Sequence, residues 1–193
     1  MEILSEGGAR ALSLREAARR AGVSSGAPYR HFRDKDELLA AIALRAFEAF
    51  DSALAAAGAT ARSNDASPLE VLRQLGVAYV RFSAERPAEF RLMFGEFAPT
   101  REPDSPLDRA VQSAAQHLSR AVDELPRPAG VHPEGAASVK QDTTVLAWSL
   151  VHGLAALHLD GHLGASDPES VTAAAQRLTA TLLGAVQASL GAD

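Results

Sequence analysis

The sequence predicts an all-α protein, built from a small three-helix head of the helix-turn-helix kind and a larger helical domain. Three observations carry that expectation. Ala, Leu, Glu and Arg dominate the chain, and these residues lose little rotamer freedom in a helix. No run alternates apolar and polar residues for long enough to make a half-buried strand. Pro and Gly, with Ser or Asp caps, cut the chain into segments of helical length. With 193 residues, 47% of them hydrophobic, the chain is long enough for one sizeable core or two small ones without covalent staples.

Each element has a local reason. Gly7-Gly8 closes a short opening helix, and Ser13 caps LREAARRA, which ends at Gly22. Ser24 is placed to cap the next segment. Asp34 caps a long helix from about Lys35 to Ala57, with Glu37 positioned to reach back to the cap. Residues 58–67, GATARSNDAS, read as a loop. Pro68 opens a helix ending near Arg86, and Pro87 opens a short one through PAEFRLMF. The breaks PTREPDSP and PRPAGVHPEGAA precede helices from Leu107 to Leu125 and from about Val139 to His158, and Asp167 to Glu169 starts the last.

Composition narrows the function. The absence of cysteine excludes disulfides, thiolate metal sites and cysteine nucleophiles, and the cytoplasm is the expected location. MEILSEGG shows no basic-then-apolar leader, and nowhere do about 18 apolar residues run together, so no membrane association is expected. The net charge is −5, yet residues 9–35 hold seven basic residues against Glu16 and Asp34, leaving +5 there and −10 elsewhere. A basic module on an acidic chain is the layout expected of a small head that meets a polyanion.

Residues 13–36 carry the sharpest signal. Leu14, Ala17, Ala18 and Ala21 recur at helical spacing and give a narrow apolar face that admits a second helix closely. The short turn before Ser24 forces the next helix across the first, with Val23 plugging the corner and Phe32 anchoring the core. With Ser24 as cap, Ser25, Gly26, Ala27 and Pro28 form a first turn of small side chains and open N–H groups, suited to a DNA major groove. Tyr29 and His31 are expected to donate to phosphates, Arg30 to reach a guanine edge or a phosphate, and Lys35 to hold a further phosphate. Ser13 joins these residues in the expected DNA-contact set.

The pattern SLREAARRAGVSSGAPYRHFRDKDELL, with its Ala-Gly-Val-Ser turn, Gly26, Tyr29-x-His31-Phe32 and Lys35-x-x-Leu38-Leu39, resembles the tetracycline-repressor (TetR) family of bacterial transcriptional regulators. The resemblance implies a homodimer whose two heads, residues 1–45, read a palindromic operator in duplex DNA. It also implies that residues 46–193 form a ligand-binding and dimerisation domain for a small-molecule effector of unknown identity, with release from the operator as the expected response. The family's first helix usually begins further upstream than MEIL allows, which implies a misplaced start or a truncated head.

In the larger domain, TTVLAWSLVHGLAALHL is apolar nearly all round, so one side is expected to pack inward and the other to meet a second subunit. Trp148, Val151 and Ala155, with Leu178, Leu182 and Val186 of the last helix, are the expected dimer interface. WSLVHG also resembles the family's C-terminal class marked by Trp, His and Gly. For the effector, the aromatic-rich residues Tyr79, Phe82, Phe90, Met93 and Phe94, with Trp148 and His152, are the candidates, and Phe97 lies beside them.

His158, Asp160 and His162 raise a metal hypothesis, but Gly161 and Gly164 end the helix there, and neither metal nor cofactor is expected. An enzyme reading has no Gly-rich phosphate loop, GxSxG elbow or HExxH to rest on. A helical adaptor that binds only protein is the other alternative, and it has no use for the basic cluster around Tyr29 and His31.

Overall fold

The computed structural model describes residues 2–126, 136–164 and 167–190, the side chains of residue 136 and residues 182–190 excepted. Among the described residues the regular structure is entirely helical: α1 (Glu2–Ala11), α2 (Leu14–Arg20), a 3₁₀ turn (Pro28–Arg30), α3 (Lys35–Ser63), α4 (Pro68–Glu85), α5 (Pro87–Phe94), α6 (Pro106–Asp123), α7 (Ala136–Leu159) and α8 (Pro168–Leu190). The chain divides into two compact units. One is Met1–Ala49 with Arg86–Gln112, and the other is Phe50–Glu85 with Ser113–Asp193.

In the first unit, α1 is interrupted at Gly8, whose φ of 64° is open to a residue without Cβ. Ser13 Oγ accepts from the Glu16 N–H at 3.1 Å and starts α2. Gly22, at φ 67°, ends it, with the Val23 N–H returning to the Ala18 carbonyl at 3.1 Å. The turn points Val23 outward at 49% exposure, so it does not plug the corner as expected. The 3₁₀ turn packs on α2 and α1 packs on α5. Leu4, Leu14, Ala18, Leu39, Phe47 and Phe90 are buried in this unit, and the Phe94 ring meets Phe47 edge-on at 5.6 Å.

Helix α3 starts as its cap predicts, with the Glu37 N–H donating to Asp34 Oδ1 at 2.9 Å. The Glu37 carboxylate reaches back one residue beyond the cap, to the Arg33 N–H at 2.6 Å. The expected loop at residues 58–67 is corrected by the structure, because α3 continues through Gly58 to Ser63. A single glycine in a helix costs only about 1 kcal/mol relative to alanine. Ala55–Ala57 and Ala59 on either side are strong helix formers, and Ala61 is buried. The break comes at Asp65, at φ 54°.

The second unit is organised around α4, which packs against both α7 and α8. Gly76 suits this close packing, since a Cβ at this position would lie 3.0 Å from Val151 Cγ1, near enough that the methyl would have to give by a few tenths of an ångström. Phe50 sets its ring against Tyr79 and Phe82, each at 5.1 Å. Asp51 Oδ1 of α3 accepts from Ser113 Oγ and meets His117 Nε2 of α6, both at 2.9 Å. Helix α7 buries Val151, Ala155 and His158 and leaves Val145, Leu146, Trp148, Leu150 and Leu157 exposed. It ends at Leu159, where Gly161 adopts φ 78° and the His162 N–H returns to the Leu157 carbonyl at 2.9 Å. Most of the expected break PRPAGVHPEGAA lies outside the described residues.

Candidate functional site

The segment expected to enter DNA is shorter and tighter than an α-helix. The Ala27 N–H donates to the Ser24 carbonyl at 2.9 Å, Arg30 to Ala27 at 3.2 Å, and His31 and Phe32 both to Pro28 at 2.9 Å. The expectation of a helix capped by Ser24 is therefore corrected. Pro28 has no N–H to give Ser24, and Gly26 adds backbone entropy to the cost of a helical turn. What forms instead is a turn at Ser24–Ala27 followed by the 3₁₀ turn Pro28–Arg30.

This arrangement leaves Ser24, Ser25, Gly26, Tyr29, Arg30 and His31 exposed, with Ala27, Pro28, Phe32 and Lys35 half-buried. A Cβ at Gly26 would meet nothing within 4 Å, so the backbone there is open to close approach. Ser13 is exposed at the start of α2 with its hydroxyl engaged as a cap. Lys35 Nζ lies 3.4 Å from the Arg10 carbonyl oxygen, which joins the start of α3 to the end of α1.

Pairing changes the charge map read from sequence. Glu16 accepts from Arg19 at 2.6 Å and from Arg20 at 3.0 Å, and Arg20 also reaches Glu6 and, at 3.7 Å, Glu2. Hydrogen bonds from Arg19 and then Arg20 pull the Glu16 carboxyl down to about 2. Arg33 pairs with Glu37 at 3.2 Å and Arg10 with Glu96 at 3.2 Å. Among the described residues, Arg15, Arg30 and Lys35 are the cations of residues 9–35 without a carboxylate partner. Arg15 escaped the sequence-based contact set. Its signal was available, because it stands on the exposed face of α2's first turn next to the Ser13 cap.

The residues expected to bind effector fall into two groups. Phe90, Met93 and Phe94 belong to the first unit, and Tyr79, Phe82, Trp148 and His152 to the second. Tyr79, Phe82, Phe90 and Met93 are buried side chains of these cores. Trp148 Nε1 donates to the Tyr79 hydroxyl at 3.3 Å, and that hydroxyl lies 2.8 Å from His152 Nδ1. Burial pushes the Tyr79 phenol far up, and burial lowers His152. Both shifts favour the neutral phenol and the neutral imidazole at this contact. An open cleft of 590 Å³ in the second unit is lined by other residues, among them Thr60, Asn64, Gln74 and Arg81.

Of the expected interface residues, Val151 and Ala155 are corrected: they are buried within the chain at 7% and 0% exposure and have no surface to give a partner. Trp148 and Leu178 are exposed, and the side chains of Leu182 and Val186 lie outside the described residues. His158 is buried, whereas Asp160 and His162 are exposed past the end of α7. Among the described residues no group of three potential ligands is placed to hold a metal. No helix of the described residues is long and apolar enough to cross a membrane.

A compact helical head with open cations, joined to a second helical unit, defines the class of helical DNA-binding proteins. The chain belongs to the TetR family: residues 1–42 match "Bacterial regulatory proteins, tetR family" and residues 72–182 match "Tetracyclin repressor-like, C-terminal domain". It is a DNA-binding transcriptional regulator and not an enzyme. A protein of unknown function from Rhodococcus sp. RHA1 is similar, at 27% identity and a TM-score of 0.67, over 92% of this chain and 88% of that one. A regulatory protein in the tetR family from Rhodococcus RHA1 shares the fold at 22% identity and a TM-score of 0.63, over 92% and 89%. So does the TetR family transcriptional regulator PfmR from Thermus thermophilus, at 19% identity and a TM-score of 0.64, over 92% and 87%. No curated protein matches the chain in sequence.

Proposed function

We propose that the protein is a cytoplasmic homodimeric repressor, that its heads, residues 1–45, grip a palindromic operator, and that a small molecule releases it. The observation that carries this reading is the set of unpaired cations Arg15, Arg30 and Lys35, together with the exposed Tyr29 and His31. Cations held by carboxylates release few counterions on meeting DNA, whereas unpaired ones convert each phosphate contact into affinity. Family membership supports the dimer. The exposed stripe of Leu146, Leu150 and Leu157 on α7 is the surface we assign to it, with the exposed Leu178 of α8 as a further contact. The experiment is a mobility shift on the intergenic DNA flanking the gene. Tyr29→Phe and Lys35→Ala are expected to weaken all sequences alike, and changes at Ser25, Ala27, Pro28 or Arg30 to alter base preference. Unchanged shifts in all of these variants would refute the contact set.

For the effector we place recognition at Tyr79, His152 and Trp148, a polar cluster set among aromatic rings in the second unit. Helix α3, which carries Lys35 at one end and Asp51 and Ala61 further along, is the lever we propose between effector and head. A coupling of about 1 to 3 kcal/mol changes operator affinity some five- to 150-fold, and linkage requires operator to weaken inducer binding equally. Trp148 is the chain's one tryptophan, so its emission reports directly on this cluster. Compounds that release operator DNA should shift that emission, and release without any shift would remove the assignment.

A further inference from the structure

We infer that Arg10 is a withheld phosphate contact, kept from DNA by Glu96 of the segment that follows α5. The proposal rests on the DNA-binding reading of the head. Arg10 sits in the last turn of α1, and its guanidinium and the Glu96 carboxylate are 74% and 71% exposed with 3.2 Å between them. The guanidinium also stacks over the Phe97 ring at 5.4 Å from its centroid. Two neighbours in sequence thus grip one cation, by charge and by the face of an aromatic ring. The Arg10 backbone meanwhile marks the position of Lys35, whose Nζ lies 3.4 Å from its carbonyl oxygen.

A phosphate held by Lys35 therefore comes within the reach of an arginine side chain at position 10. The exposed pair by itself contributes only about 0.2 to 1 kcal/mol, and a move to phosphate would also give up the face of Phe97. Glu96 opposes that exchange, and its own charge adds repulsion. The residues after α5 in this way set how many phosphates the head engages, and any displacement of Glu96 and Phe97 would hand Arg10 to the DNA.

The test uses the full chain and a labelled duplex of arbitrary sequence, because phosphate contacts are sequence-independent. Affinity is measured across a salt series for wild type, Glu96→Gln, Arg10→Gln, the double variant and Lys35→Ala. Both exchanged side chains are exposed, and circular dichroism checks that each variant is folded. Glu96→Gln is expected to bind about two- to fivefold more tightly, with the slope of log affinity against log salt steeper by about 0.9 per subunit. Arg10→Gln is expected to stay close to wild type, and the double variant to match it. An unchanged slope in Glu96→Gln overturns the proposal. So does the same gain when Arg10 is already absent, which would mark a general field effect, or a loss in Arg10→Gln as large as that in Lys35→Ala, which would show that Arg10 was never withheld.

Discussion

The reading head and helix α7 treat their side chains in opposite ways. In the head, Arg10, Arg19, Arg20 and Arg33 are each tied to a carboxylate of the same unit, and Arg15, Arg30 and Lys35 stay open. On α7 the apolar side chains are divided by burial, with Val151 and Ala155 inside and Leu146, Leu150 and Leu157 outside. Composition alone made the head look uniformly basic and α7 uniformly apolar. In both regions the groups that remain for a partner are those that intramolecular contacts have not used: cations in one, leucines in the other. A count of charges or of apolar residues therefore overstates an interface until the internal pairs are removed from it.

The largest expected effect separates the two sides of α7. Leu146→Glu with Leu150→Glu would bring charges into an apolar contact at a cost of several kcal/mol per ion, and sedimentation should show folded monomers that no longer hold operator. Val151→Asp should instead destabilise the second unit by a comparable free energy, seen as a lower denaturant midpoint. If both variants merely dissociate the dimer, the division of α7 into inner and outer sides is wrong.

Next in size is the division within the head. Arg15→Ala and Lys35→Ala should each flatten the salt slope by about 0.9 per subunit. Arg19→Ala, which removes a cation already paired with Glu16, should leave the slope where it was. Equal slopes for Arg19→Ala and Arg15→Ala would show that the pairing in the free head does not govern DNA contact.

A smaller effect belongs to Tyr79, whose hydroxyl serves both Trp148 and His152. Tyr79→Phe removes both of these hydrogen bonds and should cost about 1 to 3 kcal/mol in denaturant unfolding, with a change in Trp148 emission. An unshifted emission spectrum would mean that the indole is not held by the phenol.

The smallest effect is a difference in pH response. His152 is lowered by burial from the ordinary imidazole value of 6.5, so its contribution to stability is complete above 6.5 and declines as pH falls below it. Glu16 is lowered from 4.5 to about 2 by Arg19 and Arg20, so its contribution to the head persists to about 4.5 and is lost between there and about 2. Stability followed by tryptophan emission should begin to decline at higher pH than DNA-free head structure followed by Tyr29 amide exchange. A His152→Gln variant that keeps the upper transition would assign it elsewhere.

Much of the fold was legible because its signals are local. The caps at Ser13, Asp34 and Asp167 each bond a backbone N–H three residues on, and the residue types and spacing that permit such bonds can be read directly. Prolines 68, 87, 106 and 168 stand at helix starts for the same reason. Two local readings failed where competing costs were nearly balanced. Gly58 stayed helical among alanines, and the segment after Ser24 tightened into a 3₁₀ turn because Pro28 cannot close the first α-helical bond.

By itself, then, the sequence determined the helical class, the order and most boundaries of the helices, and the pattern around Tyr29, His31 and Lys35 that carries the family. Those properties depend on side chains and backbone groups a few residues apart, whose geometry any helix or turn reproduces. Only the tertiary structure decided which cations stay open and which face of α7 turns inward. Glu96 is 86 residues from the arginine it holds, and Gly76 admits Val151 from a helix far along the chain. Such partners are chosen when helices pack, since an ion pair or a buried methyl exists only where two distant segments are brought within a few ångströms of each other.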